Sequence, residues 1–243
     1  SQNFAVDRAA AEQQLAVLPD VAATARANRA FLARVVRCSL QLGISQFLDL
    51  GSGIPTIGNV HEVAHAIEPA ARVAYVDHEP VAVAHARRLL SNDSRVSVTQ
   101  ADLGDPAAVL AAPGVAGLLD FARPLAVLMV SVLHFLPEDR DPPAVVAAYR
   151  DACAAGSLLA VSHATDEHLS TDRTAEGMAI YRRTATPLTL RRSSAAHALM
   201  PGYAVLEPGV VSPADWRPDR QPTSADREAA RASWAAAGIL PRR

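Results

Sequence analysis

Three acids and two glycines carry most of the chemical information in this chain. Asp49 precedes Gly51 and Gly53 in Phe47-Leu-Asp-Leu-Gly-Ser-Gly-Ile-Pro-Thr56, Asp77 closes Val73-Ala-Tyr-Val-Asp77, and Asp102 follows Val96-Ser-Val-Thr-Gln-Ala101. Glycine lets the backbone turn sharply and approach a ligand closely. A helix after such a turn offers unpaired N–H groups. An acid at the end of the next strand accepts hydrogen bonds from a ribose diol. These residue types, in this order, point to a nucleoside-type cofactor lying across one edge of a sheet. His134 and His163 each follow an apolar run. Both are candidates for removing a proton from a reacting hydroxyl or amine, because imidazole titrates near neutrality.

Alternating strands and helices must position these groups. Short apolar runs predict strands over Gln46–Leu50, Arg72–Val76, Arg95–Thr99, Leu125–Val130 and Ser157–Val161. Helices are expected between them at Asn59–Ile67, Pro80–Leu90, Asp105–Leu110 and Pro143–Ala152. Asp105-Pro106 is a helix cap followed by proline at the first helical position. In Pro80–Leu90 the residues Val81, Ala84, His85 and Arg88 fall at helical spacing. Unbroken apolar strands between helices indicate a parallel sheet covered on both faces, an α/β doubly wound fold. Its ligands sit outside the carboxyl ends of the strands.

The flanks are different. Phe4 to Leu42 reads as two helices divided at Pro19-Asp20, with Asp20 as cap of the second. Val21, Ala25, Asn28, Leu32 and Val35-Val36 share one face, bordered by Phe31, so this helix must pack on something. After Ser162 the pattern weakens. One helix is expected at Thr174–Arg183, a sixth strand at Tyr203–Leu206, and a surface loop over Pro213–Ala225. Ser233–Leu240 reads as a last strand or a tail. The simplest division is a helical cap over residues 1–42 and an α/β region over 43–243. Residues 164–200 would cover the acceptor, and the whole would be one structural domain.

Composition narrows the function classes. The 243 residues are 50% hydrophobic and 20% charged, as expected of a packed domain rather than a disordered chain. All 23 basic residues are arginine, and the formal net charge is -2. That balance lacks the basic surplus of a nucleic-acid binder. The longest apolar run, Pro124 to Val132, is far short of the ~20 residues of a membrane helix. The two cysteines, Cys38 and Cys153, stand in no CxxC or metal-ligand pattern. No metal site is expected, and neither is a signal peptide, so the expected location is cytoplasmic.

A dinucleotide enzyme would carry a third glycine at position 56, where Thr56 stands. Its ribose acid would also fall nearer than Asp77. Both features weigh against nicotinamide or flavin chemistry. The turn instead resembles the first motif of class I S-adenosylmethionine-dependent methyltransferases, with Pro55 in place of that motif's third glycine. Asn28-Arg29-x-Phe31-Leu32, Asn59-Val-His61-Glu62, Asp77-His-Glu-Pro80, Ala101-Asp102-Leu, Val132-Leu-His134-Phe-Leu-Pro137, Ser162-His163-Ala-Thr and Tyr181-Arg-Arg-Thr-Ala-Thr-Pro187 extend the likeness. Together they resemble the actinobacterial methyltransferase-like family once known as domain of unknown function 574.

The resemblance implies a mostly parallel seven-stranded, Rossmann-like sheet and S-adenosylmethionine as cofactor, with S-adenosylhomocysteine as product. It implies that Gly51 and Gly53 approach the methionine part, and that Asp49 holds the turn or meets the cofactor's ammonium through water. Asp77 would take both ribose hydroxyls, with His78 beside the adenine. Asp102 would accept from the adenine amine, with Leu103 against the ring. Ser131 would offer a backbone carbonyl to the methionyl amine, and Arg29 a guanidinium to the cofactor carboxylate. The implied reaction is methyl transfer to oxygen or nitrogen of a small molecule, with His134, then His163, as the base. Tyr181, Arg182 and Arg191 fall in the acceptor-covering region, where a solvated charged face explains them equally well. A methyltransferase fold that binds the cofactor without transfer is the other reading. The apolar N-terminal helices are a candidate homodimer surface.

Overall fold

The computed structural model describes residues 19–54, 58–90, 92–169 and 188–242, without the side chains of 19–22. Pro55, Thr56, the first N-terminal helix, the Thr174–Arg183 helix, Tyr181 and Arg182 lie outside the described residues. Seven strands form one sheet: β1 (Gln46–Leu50), β2 (Arg72–Asp77), β3 (Val96–Gln100), β4 (Ala126–Val130), β5 (Leu158–Ala164), β6 (Ala204–Val205) and β7 (Ser233–Ile239). Their order is β3-β2-β1-β4-β5-β7-β6. The first five run parallel, and β7 pairs antiparallel with both β5 and β6. The expected doubly wound sheet is therefore present, and Ser233–Leu240 is a strand rather than a tail. The order reverses between β1 and β4, and a ligand crevice opens at such a point.

The helices are α1 (Pro19–Gln41), α2 (Val60–His65), α3 (Pro80–Leu90), α4 (Pro106–Ala111), α5 (Pro113–Ala116), α6 (Pro142–Ala152) and α7 (Ser224–Ala230). Alternation along β1 divides the core in two. Leu48 and Leu50 point to one face, with Val109, Val115, Val145 and Tyr149 of α4–α6. Phe47 points to the other face, with Phe31, Val35 and Val36 of α1 and Val60 and Ala64 of α2. Asp49 alternates with Leu48 and Leu50, so it stands on the side that α1 and α2 cover.

Several expectations need correction. α1 begins at Pro19, so Asp20 lies inside its first turn rather than before it. Proline suits that first position, where its missing N–H has no partner in any case. Phe31 is the fully buried centre of the packed stripe, while Ala25 is exposed. α3 spans Pro80–Leu90 as expected, and it buries Ala82, Val83 and Ala86 while Val81 faces water. Pro213–Trp216 is not a surface loop. Trp216 is fully buried, edge-on to Phe31 with ring centroids 5.3 Å apart. Arg34 of α1 holds that segment, its Nε donating to the Trp216 carbonyl at 2.8 Å and its Nη2 to the Pro213 carbonyl at 2.5 Å. A proline-rich, charged stretch gives no sequence signal for such a clasp.

Candidate cofactor site

The glycine turn needs both of its glycines. Gly51 has φ 76° and Gly53 has φ 64°, the left-handed region that side chains disfavour. Gly51 is also crowded, because a Cβ there would lie 2.2 Å from Val132 Cγ2. The turn is pinned to β2 by the N–H groups of Gly51 and Ser52, which donate to the Val76 carbonyl at 2.8 and 3.2 Å.

Beside the turn is a cavity of about 70 Å³, lined by Arg29, Leu32, Asp49, Gly53, Val60 and Tyr75 among others. It brings together Asp49, Gly53 and Arg29, three of the residues singled out in the sequence. Asp49 is 6% exposed, and no described residue donates a hydrogen bond to its carboxylate. Burial, and then the neighbouring Asp77, push its pKa up to about 7. Tyr75 sits opposite Asp49 in register. Its hydroxyl accepts from the His61 backbone N–H at 2.9 Å and lies 2.8 Å from His61 Nδ1. Burial, and then Asp49, hold that phenol well above its usual pKa, so it stays protonated. Among the described residues Glu62 neither lines the cavity nor pairs with α1. Its carboxylate accepts from the Gly58 and Asn59 N–H groups at 2.6 and 3.0 Å, which caps α2.

The other acids stand at the ends of their strands. Asp77 is buried; Oδ2 accepts from the Gly53 N–H at 2.6 Å and Oδ1 from the Glu79 N–H at 2.9 Å. Each oxygen keeps a further lone pair for a ligand. His78 is exposed, 3.8 Å from Asp77 and 3.1 Å from Glu79. Asp102 is half-exposed and paired with Arg140 at 3.0 Å. Burial acts to raise its pKa, but the Gly104 N–H and Arg140 outweigh that and leave it lowered. Leu103 packs on the core edge, and its carbonyl accepts from the Tyr149 hydroxyl at 2.8 Å.

Ser131 follows β4 with φ 56°, left-handed without being glycine. Its N–H donates to both the Ser162 carbonyl at 3.1 Å and Ser162 Oγ at 3.0 Å. Ser162 Oγ donates in turn to Asn28 Oδ1 at 2.5 Å. Sequence reasoning singled out Arg29 of the Asn28-Arg29 pair and missed the part Asn28 plays. A buried asparagine on an otherwise apolar helix face was the available signal.

His134, in the turn after β4, and His163, within the last residues of β5 rather than after that strand, lie together with ring centroids 5.5 Å apart. Both are buried. Burial, then His163 and Arg191, lowers the His134 pKa to about 3. Burial is also the leading cause for His163, lowered to about 4. His163 stacks on Trp234, with Nδ1 2.8 Å from the Ala164 carbonyl and Nε2 2.9 Å from Arg191 Nη1. Arginine can only donate, so Nε2 accepts and Nδ1 carries the proton. Arg191 is a buried hub rather than part of a solvated face. It donates to Glu138 at 2.8 Å and to the Leu133 and Leu136 carbonyls at 3.0 Å each. Among the described residues no cluster of potential ligands could hold a metal ion, and no helix is long and apolar enough to cross a membrane.

The sheet order, the glycine turn and the acids at the strand ends define a class I, Rossmann-like transferase that binds a nucleoside cofactor. A family described as S-adenosyl methyltransferase matches residues 1–241, and the chain belongs to that family. Its cofactor is S-adenosylmethionine. The chain is similar to a candidate methyltransferase from Thermobifida fusca YX, with 38% identity, TM-score 0.88, 97% of this chain and 88% of that one covered. It is also similar to a domain-of-unknown-function 574 protein from Streptomyces avermitilis MA-4680, at 31% identity and TM-score 0.86, covering 97% and 90% of the two chains. The N-methyltransferase NodS from Bradyrhizobium japonicum WM9, in complex with S-adenosylhomocysteine, shares the fold at 17% identity and TM-score 0.53, covering 87% and 86%. No curated protein matches the chain.

Proposed function

We propose that this methyltransferase acts on an oxygen or nitrogen of a small molecule in secondary metabolism, in the cytoplasm. The supporting observation is the buried Asp49 carboxylate, without a donor, facing a cavity beside the glycine turn and next to Asp77. Asp49 in the cavity wall and Asp77 beside it, neither paired with an arginine, suit a ligand that brings its own positive charge. S-adenosylmethionine carries an ammonium and a sulfonium. A dinucleotide would bring a pyrophosphate, which the same acids repel. Arg29, in the cavity wall and without a hydrogen bond to any described residue, suits the cofactor carboxylate. Asp77 and His78 are assigned to the ribose and adenine side, with Asp102 and Leu103 beyond them, and the Ser131 carbonyl to the methionyl amine.

When bound, the cofactor supplies an activated methyl group and its own leaving group. The protein's task is to hold the acceptor in line at ~3–3.5 Å and exclude water. His134 is neutral at physiological pH and is assigned to hydrogen-bond and orient the acceptor. With a pKa of about 3 it is a weak base. His163 is assigned to hold Arg191, because both of its ring nitrogens are engaged. The acceptor is assigned to α1 and the segment 164–200, of which residues 164–169 and 188–200 are described. Thermal shift with S-adenosylhomocysteine, S-adenosylmethionine and NADH tests the reading. Stabilisation by the first two is expected, and stabilisation by NADH alone would sink it. Methylation assays on phenol, carboxylate and amine panels then identify the acceptor atom.

A further inference from the structure

Asn28 is 5% exposed between α1 and the sheet, where an apolar side chain would avoid any desolvation cost. Its amide is fully directed. Nδ2 donates to the Thr24 carbonyl of its own helix at 3.1 Å, and Oδ1 accepts from Ser162 Oγ at 2.5 Å. Because the Ser162 proton goes to Asn28, the Ser162 oxygen is free to accept from the Ser131 N–H. Ser131 thus meets two acceptors at a φ of 56° that serine seldom adopts. The next residue, Val132, fills the space that a Cβ on Gly51 would need. Arg29, the neighbour of Asn28 in the chain, lines the cavity with Asp49. One buried amide therefore joins the seat of α1, a strained strand end and the glycine turn.

We propose that Asn28 is a positioning residue for cofactor binding: through Ser162 it holds Ser131 left-handed, and with it Val132 against Gly51. The proposal rests on reading the cavity as the S-adenosylmethionine site. Strained residues persist where their surroundings over-determine them, and such places are characteristically functional. A purely packing role would be served equally well by leucine at position 28.

The test uses Ser162→Ala, which removes a single oxygen, Asn28→Leu, and each combined with Ser131→Gly. Glycine adopts the left-handed conformation without being held. Three quantities are read: exchange of the Ser131 amide without ligand, the Kd for S-adenosylhomocysteine by calorimetry, and the urea midpoint. The Ser162 variant is expected to exchange the Ser131 amide faster and to bind about tenfold more weakly, one decade in Kd. Adding Ser131→Gly is expected to recover most of that affinity. Unchanged exchange and Kd in Ser162→Ala, or lost affinity that Ser131→Gly does not recover, overturns the proposal. A shifted midpoint with unchanged Kd also overturns it, since that is what packing alone produces. Failure of the native protein to bind S-adenosylhomocysteine would instead sink the cofactor assignment, and the amide exchange still reports whether the hold on Ser131 exists.

Discussion

Gly53 donates its N–H to Asp77 Oδ2 at 2.6 Å, so the turn after β1 and the acid ending β2 form one unit. Asp77→Ala removes the ribose acceptor and also the tether of the turn. The affinity for S-adenosylhomocysteine should fall at least tenfold, about 1.4 kcal/mol. Stability should fall by about 1–3 kcal/mol, because the Gly53 and Glu79 N–H groups lose their acceptor. Calorimetry and urea unfolding measure the two effects separately. Affinity retained within about threefold would remove Asp77 from the ribose site.

The two glycines should respond unequally to alanine. Gly53 has open space around the missing Cβ, so Gly53→Ala meets only the left-handed penalty of about 1–2 kcal/mol. Gly51→Ala adds a collision with Val132 at 2.2 Å. Overpacking of that kind adds about 1–3 kcal/mol more. Urea midpoints for the two variants should therefore differ clearly, with Gly51→Ala the less stable. Equal midpoints would mean that Val132 yields freely and that the turn is not wedged.

What was legible in the sequence follows local rules. β1 reads directly because Gln46–Leu50 is buried throughout, and the turn reads because glycine answers a local backbone demand. The acids at strand ends were legible for the same reason. Trp216 and Arg191 were not. Trp216 packs on Phe31 across the fold. Arg191 reaches Leu133, Leu136 and His163. Their burial depends on partners far away in the chain, and their own neighbours, Pro213–Asp219 and Thr189–Ser194, look like solvated loops. The helix α3 was legible at Pro80–Leu90, but its buried face was not. Val81 and Ala82 are both apolar, and spacing alone does not choose between adjacent faces when alanine is on both.

Asp49 should make cofactor binding depend on pH. Its folded pKa of about 7 lies above the unfolded value of ~3.9, so the folded state holds the extra proton between these limits. Its contribution to stability is therefore lost as pH rises from about 4 to about 7, at up to ~1.4 kcal/mol per pH unit. Asp49→Asn should be more stable than the native protein at pH 8, and the advantage should shrink towards pH 4. Affinity for the cationic cofactor should rise in the native protein between pH 6 and 8 as Asp49 ionises, and stay flat in Asp49→Asn. Calorimetry in buffers of different ionisation enthalpy would count the proton released. A native affinity independent of pH would place the ligand's charge elsewhere.

The histidines titrate in the opposite sense. His134 and His163 have folded values of about 3 and 4, below the unfolded value of ~6.5. Their contribution is complete above pH ~6.5 and is lost as pH falls towards those folded values. His163→Gln should lose the contribution of that site and flatten the acid limb of the stability curve between pH 6 and 4. Urea midpoints across that range check it, and an acid limb as steep as the native one would show that His163 is not held neutral.

Arg191 should matter more to the fold than any charge at the surface. Its side chain is 8% exposed, and the guanidinium supplies donors to Glu138, His163 and two carbonyls. Its own carbonyl accepts from Trp234 Nε1 at 2.9 Å, a bond that a side-chain change leaves in place. Arg191→Met keeps the aliphatic stem but strands the Leu136 carbonyl and His163 Nε2, and leaves the Leu133 carbonyl with only the Leu136 N–H. Loss of about 3 kcal/mol or more is expected, because the unpaired buried acceptors retain their desolvation cost. Arg191→Lys should recover little, since a single ammonium does not reproduce the planar fork that spans these partners. The cavity beside Asp49 does not include Arg191, so S-adenosylhomocysteine should bind within about threefold of native in the folded fraction. Turnover should fall further than binding, because the Leu133–Phe135 turn carries His134 and depends on Arg191 for its position. A variant that keeps native stability would show that the carbonyls find water instead. One that loses cofactor affinity more than tenfold would show that the hub and the cofactor cavity are mechanically one site.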